Sequence, residues 1–293
     1  MESGKSVTMD KPVAPARLAS TILLVRDGAP GLEVFMVVRH HEIDFASGAL
    51  VFPGGSIDAA DRDPRVRTMT SGCEGFDDDD LAFRVGAIRE AFEECGVLLA
   101  RPRGGSALVG AERLKRLEDV YRKALERGDV GIADLLERED LELACELLVP
   151  YARWITPVQL AKRFDTMFFI VRAPEDHVAI HDGHESVDSV WIHPDEACRQ
   201  ADAGERTVIF PTRLNLEKLS RSGTSVDAVC AAAAASPIVT VQPRIEKIEG
   251  GRIMHIPIEA GYGDSRFPIE GQPGAGSARR MSLAQPIGDT NAG

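Results

Sequence analysis

Two apolar runs open the chain, residues 18–26 and 33–39, both rich in Leu, Ile and Val and separated by Asp27-Gly28-Ala29-Pro30-Gly31. Branched apolar runs flanking a Gly/Pro turn predict two strands joined as a hairpin. Residues 49–52 predict a short third strand that delivers the chain into Pro53-Gly54-Gly55. Glycine at such a corner lets the backbone pass close to ligand oxygens and take positive φ. The period then changes. Leu81, Val85, Ile88, Phe92 and Cys95 recur at helical spacing and form an apolar stripe. Gly96 supplies the stop, and Asp77-Asp78-Asp79-Asp80 puts negative charge at the start, where caps and the helix dipole favour it.

Farther along, Leu114, Leu117, Val120, Tyr121 and Leu125 repeat the helical pattern, and shorter apolar patterns follow at 132–136 and 141–148. Residues 110–145 therefore read as a helical insertion packed on the core. Trp154-Ile155-Thr156-Pro157 leads into 163–171, an apolar strand expected at the centre of a sheet. Residues 194–203, 212–219 and 225–235 predict helices, and 238–241, 245–248 and 252–258 predict strands, the last two joined through Gly250-Gly251. Strands mixed with helices in this order give an α/β fold with a mixed sheet. Residues 1–16 read as a flexible tail, 17–262 as the folded domain, and 263–293, rich in Gly, Pro and Ser, as a disordered tail.

Composition narrows the partners. At 44% apolar and 27% charged the chain is an ordinary globular one, and its net charge of −12 argues against a nucleic-acid partner. Five cysteines without paired or metal-type spacing read as reduced thiols. No stretch is long and apolar enough to cross a bilayer. The first residues lack an apolar run and the last five carry no peroxisomal or retention address, so a cytoplasmic enzyme is expected.

The chemistry concentrates on Arg89-Glu90-Ala91-Phe92-Glu93-Glu94-Cys95-Gly96. On a helix, Glu90, Glu93 and Glu94 share a face within an arc of about 100°, opposite the apolar stripe. A solvated face accommodates three glutamates. So does a hard divalent cation, which wants several oxygen ligands and neutralises their repulsion.

The run Arg89 to Val97 resembles the second half of the Nudix box, REUXEEXGU with U aliphatic, and Phe52-Pro53-Gly54-Gly55 with Ser56-Ile57-Asp58-Ala59-Ala60-Asp61 resembles the first. Asp61 stands where the family has Glu, and 27 residues separate it from Arg89, far more than in the ordinary box. This expanded box is similar to that of the long-box branch, the Nudix-motif-19 type acyl-CoA diphosphatases. Segments 154–157, 163–169 and 243–262 resemble the same branch. The resemblance implies a Nudix-type α/β/α sandwich with an expanded box loop at 62–80. That loop, charged and broken by Pro64, Gly72 and Gly75, suits either substrate selection or a passive excursion.

The resemblance also implies roles. Glu90, Glu93 and Glu94 would hold Mg2+ or Mn2+, Arg89 would orient them by ion pairing, and Gly54 and Gly55 would shape the metal site, with Asp58 and Asp61 as outer acids. Glu185, six residues before Trp191, sits where many Nudix enzymes carry a further carboxylate acting as base or metal ligand. Arg39, Gly48 and the FPGG run match the CoA-diphosphatase signature LLTXRSX3RX3GX3FPGG in register, while His40 replaces Ser and Asp44 replaces the second Arg. Arg39 is thus a candidate for substrate contact, or a surface residue at a strand end. Arg153, Lys162 and Arg163 are candidates for phosphate contact or for strand-end ion pairs, and Arg163 is the one assigned to substrate. The implied reaction is hydrolysis of a CoA-like small-molecule nucleotide to two phosphate-terminated products. ADP-ribose or NADH as substrate, and a ligand-sensing domain without turnover, are the alternatives. A homodimer is the candidate assembly.

Overall fold

A computed structural model describes residues 13–29, 31–39, 48–182 and 186–270. Strands β1 (Arg17–Gly28) and β2 (Gly31–Arg39) form the expected hairpin, in register from Val25↔Val34 to Gly28↔Gly31. β3 (Leu50–Val51) pairs with β2, and β4 (Gly54–Ser56) returns onto β1. Helix α1 (Asp78–Cys95) follows. Next, β5 (Ala100–Pro102) is separated from its partner by α2 (Ala111–Leu117), a π-helical turn (Glu118–Arg122), α3 (Lys123–Glu126) and α4 (Ile132–Arg138). That partner is β6 (Leu141–Leu143).

β7 (Val149–Ile155) runs antiparallel to β8 (Phe164–Arg172), which lies parallel to β1 from Arg17↔Phe164 to Val25↔Arg172. β9 (Ser186–Ile192) pairs with β2. Helices α5 (Pro194–Ala203), α6 (Phe210–Ser222) and α7 (Val226–Ala234) precede β10 (Thr240–Val241), which closes the edge beside β7. The result is an eight-stranded mixed sheet with β8 and β1 at its middle, as expected.

The sheet is buried on both faces, which is why its strands read as unbroken apolar runs. Alternate residues divide between the faces. Ile22, Leu24, Phe35, Val37, Phe169 and Val171 pack with α1 to α4, whereas Leu23, Val25, Val34, Met36, Phe168 and Ile170 pack with α5 to α7. This is the α/β/α sandwich. Among the described residues no helix is long and apolar enough to cross a membrane.

Three details differ from the sequence-based expectation. The ordered chain continues past Tyr262: β11 (Arg244–Ile248), β12 (Gly251–His255) and β13 (Arg266–Glu270) form a separate antiparallel sheet. Phe267 and Ile269, alternating inward, are each 1% exposed and anchor that last strand in the core. Residues 141–148 form a strand and a short 3-10 turn, since β6 finds an open edge on β5. The box loop is exposed at most of its positions, yet a 3-10 turn at Val66–Met69 anchors it, with Val66 and Met69 buried in the same core as α1.

Candidate active site

Helix α1 is fixed at both ends. The Asp77 side chain accepts from Asp80 N at 2.8 Å, and Gly96, at φ 70°, ends the helix in the left-handed conformation. Leu81, Val85, Ile88, Phe92 and Cys95 are buried against the sheet, as the stripe predicted. Glu90, Glu93 and Glu94 lie instead in the wall of a cleft of about 750 Å³.

The glycine corner meets this ridge directly. Gly54 N donates to Glu94 Oε2 at 2.9 Å. Gly54 has φ 153°, and a Cβ there would lie 2.3 Å from the Ser20 carbonyl oxygen, against backbone that cannot yield. A Cβ on Gly55 would lie 2.5 Å from Glu90 Oε1, the mobile end of a side chain. Alanine at the two positions is therefore expected to act differently. Gly54→Ala should lower the melting temperature. Gly55→Ala should melt near wild type yet lose about 10–100-fold in kcat, because it displaces one carboxylate by an ångström or so. Equal melting losses in the two variants would contradict this division.

Arg89 is the hub. Its Nε and Nη2 donate to the two Asp61 oxygens at 2.8 and 3.0 Å, Nη2 also reaches Ser56 O at 2.9 Å, and Nη1 reaches Glu90 at 3.0 Å and Glu93 at 3.1 Å. Burial alone would lower its pKa, but Asp61, Glu90 and Glu93 more than reverse that, and the guanidinium stays charged. Asp61, the family's Glu position, has a fully buried side chain and also accepts from Asp58 N at 2.8 Å. It thus anchors Arg89, while Asp58 lines the cleft. Burial pushes the Glu93 carboxyl up to about 7, with Arg89 pulling the other way.

Among the described residues, no three His, Cys, Asp or Glu side chains are gathered as ligands about one point. Arg89 Nη1 engages Glu90 and Glu93, and Gly54 N engages Glu94. The donor set nevertheless fits a hard cation. Glu93 Oε1 is buried with no hydrogen-bond partner among the described residues, and a divalent ion beside it would satisfy that oxygen and favour the ionised carboxylate.

The cleft lining also includes the apolar side chains of Trp154, Phe164, Phe168 and Phe210, with Ile245 and Met254 contributed by the C-terminal sheet. Arg39 lines the cleft, and its buried Nε has no hydrogen-bond partner among the described residues. Arg163 does not line it. Only 8% exposed, it donates to the carbonyls of Thr156 at 3.1 Å and Ala14 at 2.6 Å, which ties the start of the described chain to the β7–β8 connection. Arg153 pairs with Asp165 through two hydrogen bonds of 2.9 and 2.8 Å. Glu185 lies outside the described residues. Three charged residues that sequence reasoning did not single out also line the cleft: Glu126 from α3, Asp182 and Arg252. Glu126 brings the helical insertion to the site. The sequence signal for Arg252 was a basic residue beside the apolar pair Ile253-Met254.

Comparison with known proteins bears on this geometry. The NUDT19 Nudix domain family matches residues 74–219. The human acyl-coenzyme A diphosphatase NUDT19 is 30% identical over 219 residues, covering 58% of this chain and 55% of that protein. The chicken acyl-coenzyme A diphosphatase NUDT19 is 27% identical over 243 residues, covering 64% of each. The chain thus spans between half and two thirds of the length of these curated relatives. A NUDIX hydrolase crystal structure from Alicyclobacillus acidocaldarius matches with a TM-score of 0.61 and 26% identity, over 77% of this chain and all of that one. A sandwich shared along the whole length of a solved Nudix hydrolase, with a family match running through the box helix, supports a Nudix hydrolase resembling NUDT19.

Proposed function

We propose that this chain hydrolyses the diphosphate linkage of CoA or an acyl-CoA, giving 3′,5′-ADP and 4′-phosphopantetheine or its acyl form. The observation that carries the reading is the mixed lining of the cleft. A ridge of Glu90, Glu93 and Glu94 at a glycine corner shares it with the apolar side chains of Trp154, Phe164, Phe168 and Phe210. The carboxylates suit a cation and a diphosphate, the apolar lining a pantetheine arm or acyl chain. The curated relatives named as acyl-coenzyme A diphosphatases support the substrate class.

Divalent cations are the usual cofactor in this superfamily. Mg2+ or Mn2+ would be held by Glu90, Glu93 and Glu94, and when bound would neutralise diphosphate charge and ease deprotonation of the attacking water. The protein's own work is positioning. Arg89 keeps Glu90 and Glu93 in place through its bonds to both, and Gly54 N orients Glu94. Arg39 Nε, without a partner among the described residues, is a donor for a substrate phosphate oxygen. Glu185 remains the proposed further carboxylate, acting as base or metal ligand.

Product masses over CoA, acetyl-CoA, ADP-ribose and NADH test the reading. The expected result is cleavage of the CoA compounds between the two phosphates. Equal rates on ADP-ribose and CoA would remove the CoA assignment, and no turnover of any would favour a sensing domain. Removing divalent metal with a chelator should abolish activity, and adding Mg2+ or Mn2+ should restore it. Full activity in excess chelator would rule out the metal role.

A further inference from the structure

The sheet formed by β11, β12 and β13 begins after residue 219, where the NUDT19 Nudix domain match ends, and it nevertheless reaches the cleft. Ile245 on β11 and Met254 on β12 lie directly across from each other in register, so their side chains stand side by side on one face. Both line the cleft, together with Pro243 just before β11. Ile245 and Met254 pack with Trp154, Phe168 and Phe210 in the core cluster on the α5 to α7 face of the main sheet. The apolar stripe of α1 packs into the cluster on the other face. The cleft lining is thus drawn from both clusters.

The side chains of Pro243, Ile245 and Met254 offer a ligand no strong hydrogen bond. The polar atom of the nearby indole is turned to the protein instead. Trp154 Nε1 donates to Tyr262 OH at 2.8 Å, and Tyr262 OH donates to Asn215 Oδ1 at 2.8 Å. Arg252, the charged cleft residue of the same sheet, donates from Nη1 to Glu270 O at 3.1 Å. Apolar side chains at a cleft favour a ligand segment that loses no hydrogen bond on leaving water. In an acyl-CoA, the adenine, ribose and pantetheine all carry hydrogen-bonding groups, and the alkyl tail of the acyl group carries none. We propose that Ile245 and Met254 are specificity-determining residues that bind this alkyl tail, so that the C-terminal sheet selects longer acyl-CoA substrates over acetyl-CoA. The inference rests on the CoA reading above for the identity of the substrate. Methionine suits the role, because its unbranched, flexible side chain adapts to the shape of the chain beside it.

The test uses the full chain with Mg2+ and reads the kcat/KM ratio of octanoyl-CoA to acetyl-CoA, two substrates that differ only in methylenes. Wild type should prefer octanoyl-CoA by about tenfold or more, the contribution of roughly two buried methylenes. Ile245→Ala and Met254→Ala should each cut that ratio about threefold or more, mainly through a higher KM for octanoyl-CoA. Met254→Leu, which keeps volume and apolarity, should preserve it. A merely structural loss lowers both substrates together and leaves the ratio where it was. A wild-type ratio near one, or an unchanged ratio in a folded alanine variant, would overturn the proposal. Should Met254→Ala fail to fold, Ile245→Ala, at a half-buried position, decides. If wild type hydrolyses neither substrate, the CoA reading fails separately, and calorimetric binding of octanoyl-CoA against CoA then decides. Tighter binding of octanoyl-CoA that weakens towards CoA in Ile245→Ala supports the acyl site. Equal affinities in wild type, no binding of either, or a difference unchanged in the variant refutes it.

Discussion

Glu94→Gln is expected to lower turnover about a thousandfold, or ~4 kcal/mol of transition-state stabilisation, while the protein melts near wild type. Glu94 is 7% exposed and accepts from Gly54 N at 2.9 Å. Glutamine matches its shape and keeps a carbonyl oxygen for that donor, so the glycine corner stays seated. What disappears is one negative charge on the ridge, and with it a strong oxygen ligand for a hard cation. Circular dichroism and thermal melts would establish that the fold persists, and steady-state assays would measure the loss. A Glu94→Gln enzyme with near wild-type kcat would mean the ridge is not the reaction centre.

Arg89→Met carries the second large effect, on stability as well as turnover. Removing the guanidinium strands Asp61, whose side chain is fully buried, and releases Glu90 and Glu93. Breaking a buried ion pair from one side costs about 3–5 kcal/mol, which for a domain of this size lowers the melting temperature by roughly 10 °C. The double variant Asp61→Asn with Arg89→Met should recover part of this loss, because the stranded charge is gone and Asn still offers an acceptor to Asp58 N. Turnover should not return, since Glu90 and Glu93 remain without their shared donor. If Arg89→Met alone melts like wild type, the ion cluster is not what joins the box loop to α1.

Much of this arrangement was legible before any coordinates. The period of α1 separated its buried stripe from its acidic ridge, and Gly96 marked its end, because local sequence governs both. The β1–β2 hairpin and the Gly250-Gly251 hairpin were legible for the same reason. Long-range partners were not. That Asp61 reaches Arg89 across 27 residues depends on a 3-10 turn at Ala59–Arg62 bringing a short acid under the helix. Arg163 stood beside an apolar strand and looked available to substrate, but two carbonyls, one of them 149 positions away, take its donors. Likewise, nothing in the local pattern of β12 says which of its faces meets the cleft. That is decided by where Phe267 and Ile269 dock the C-terminal sheet.

The account depends on a divalent cation at the box ridge, and anomalous diffraction from a crystal soaked in Mn2+ tests this most directly. The predicted result is a manganese peak within bonding distance of carboxylate oxygens from Glu90, Glu93 and Glu94. A soaked crystal with no peak at that ridge, or with manganese bound only elsewhere, would contradict it.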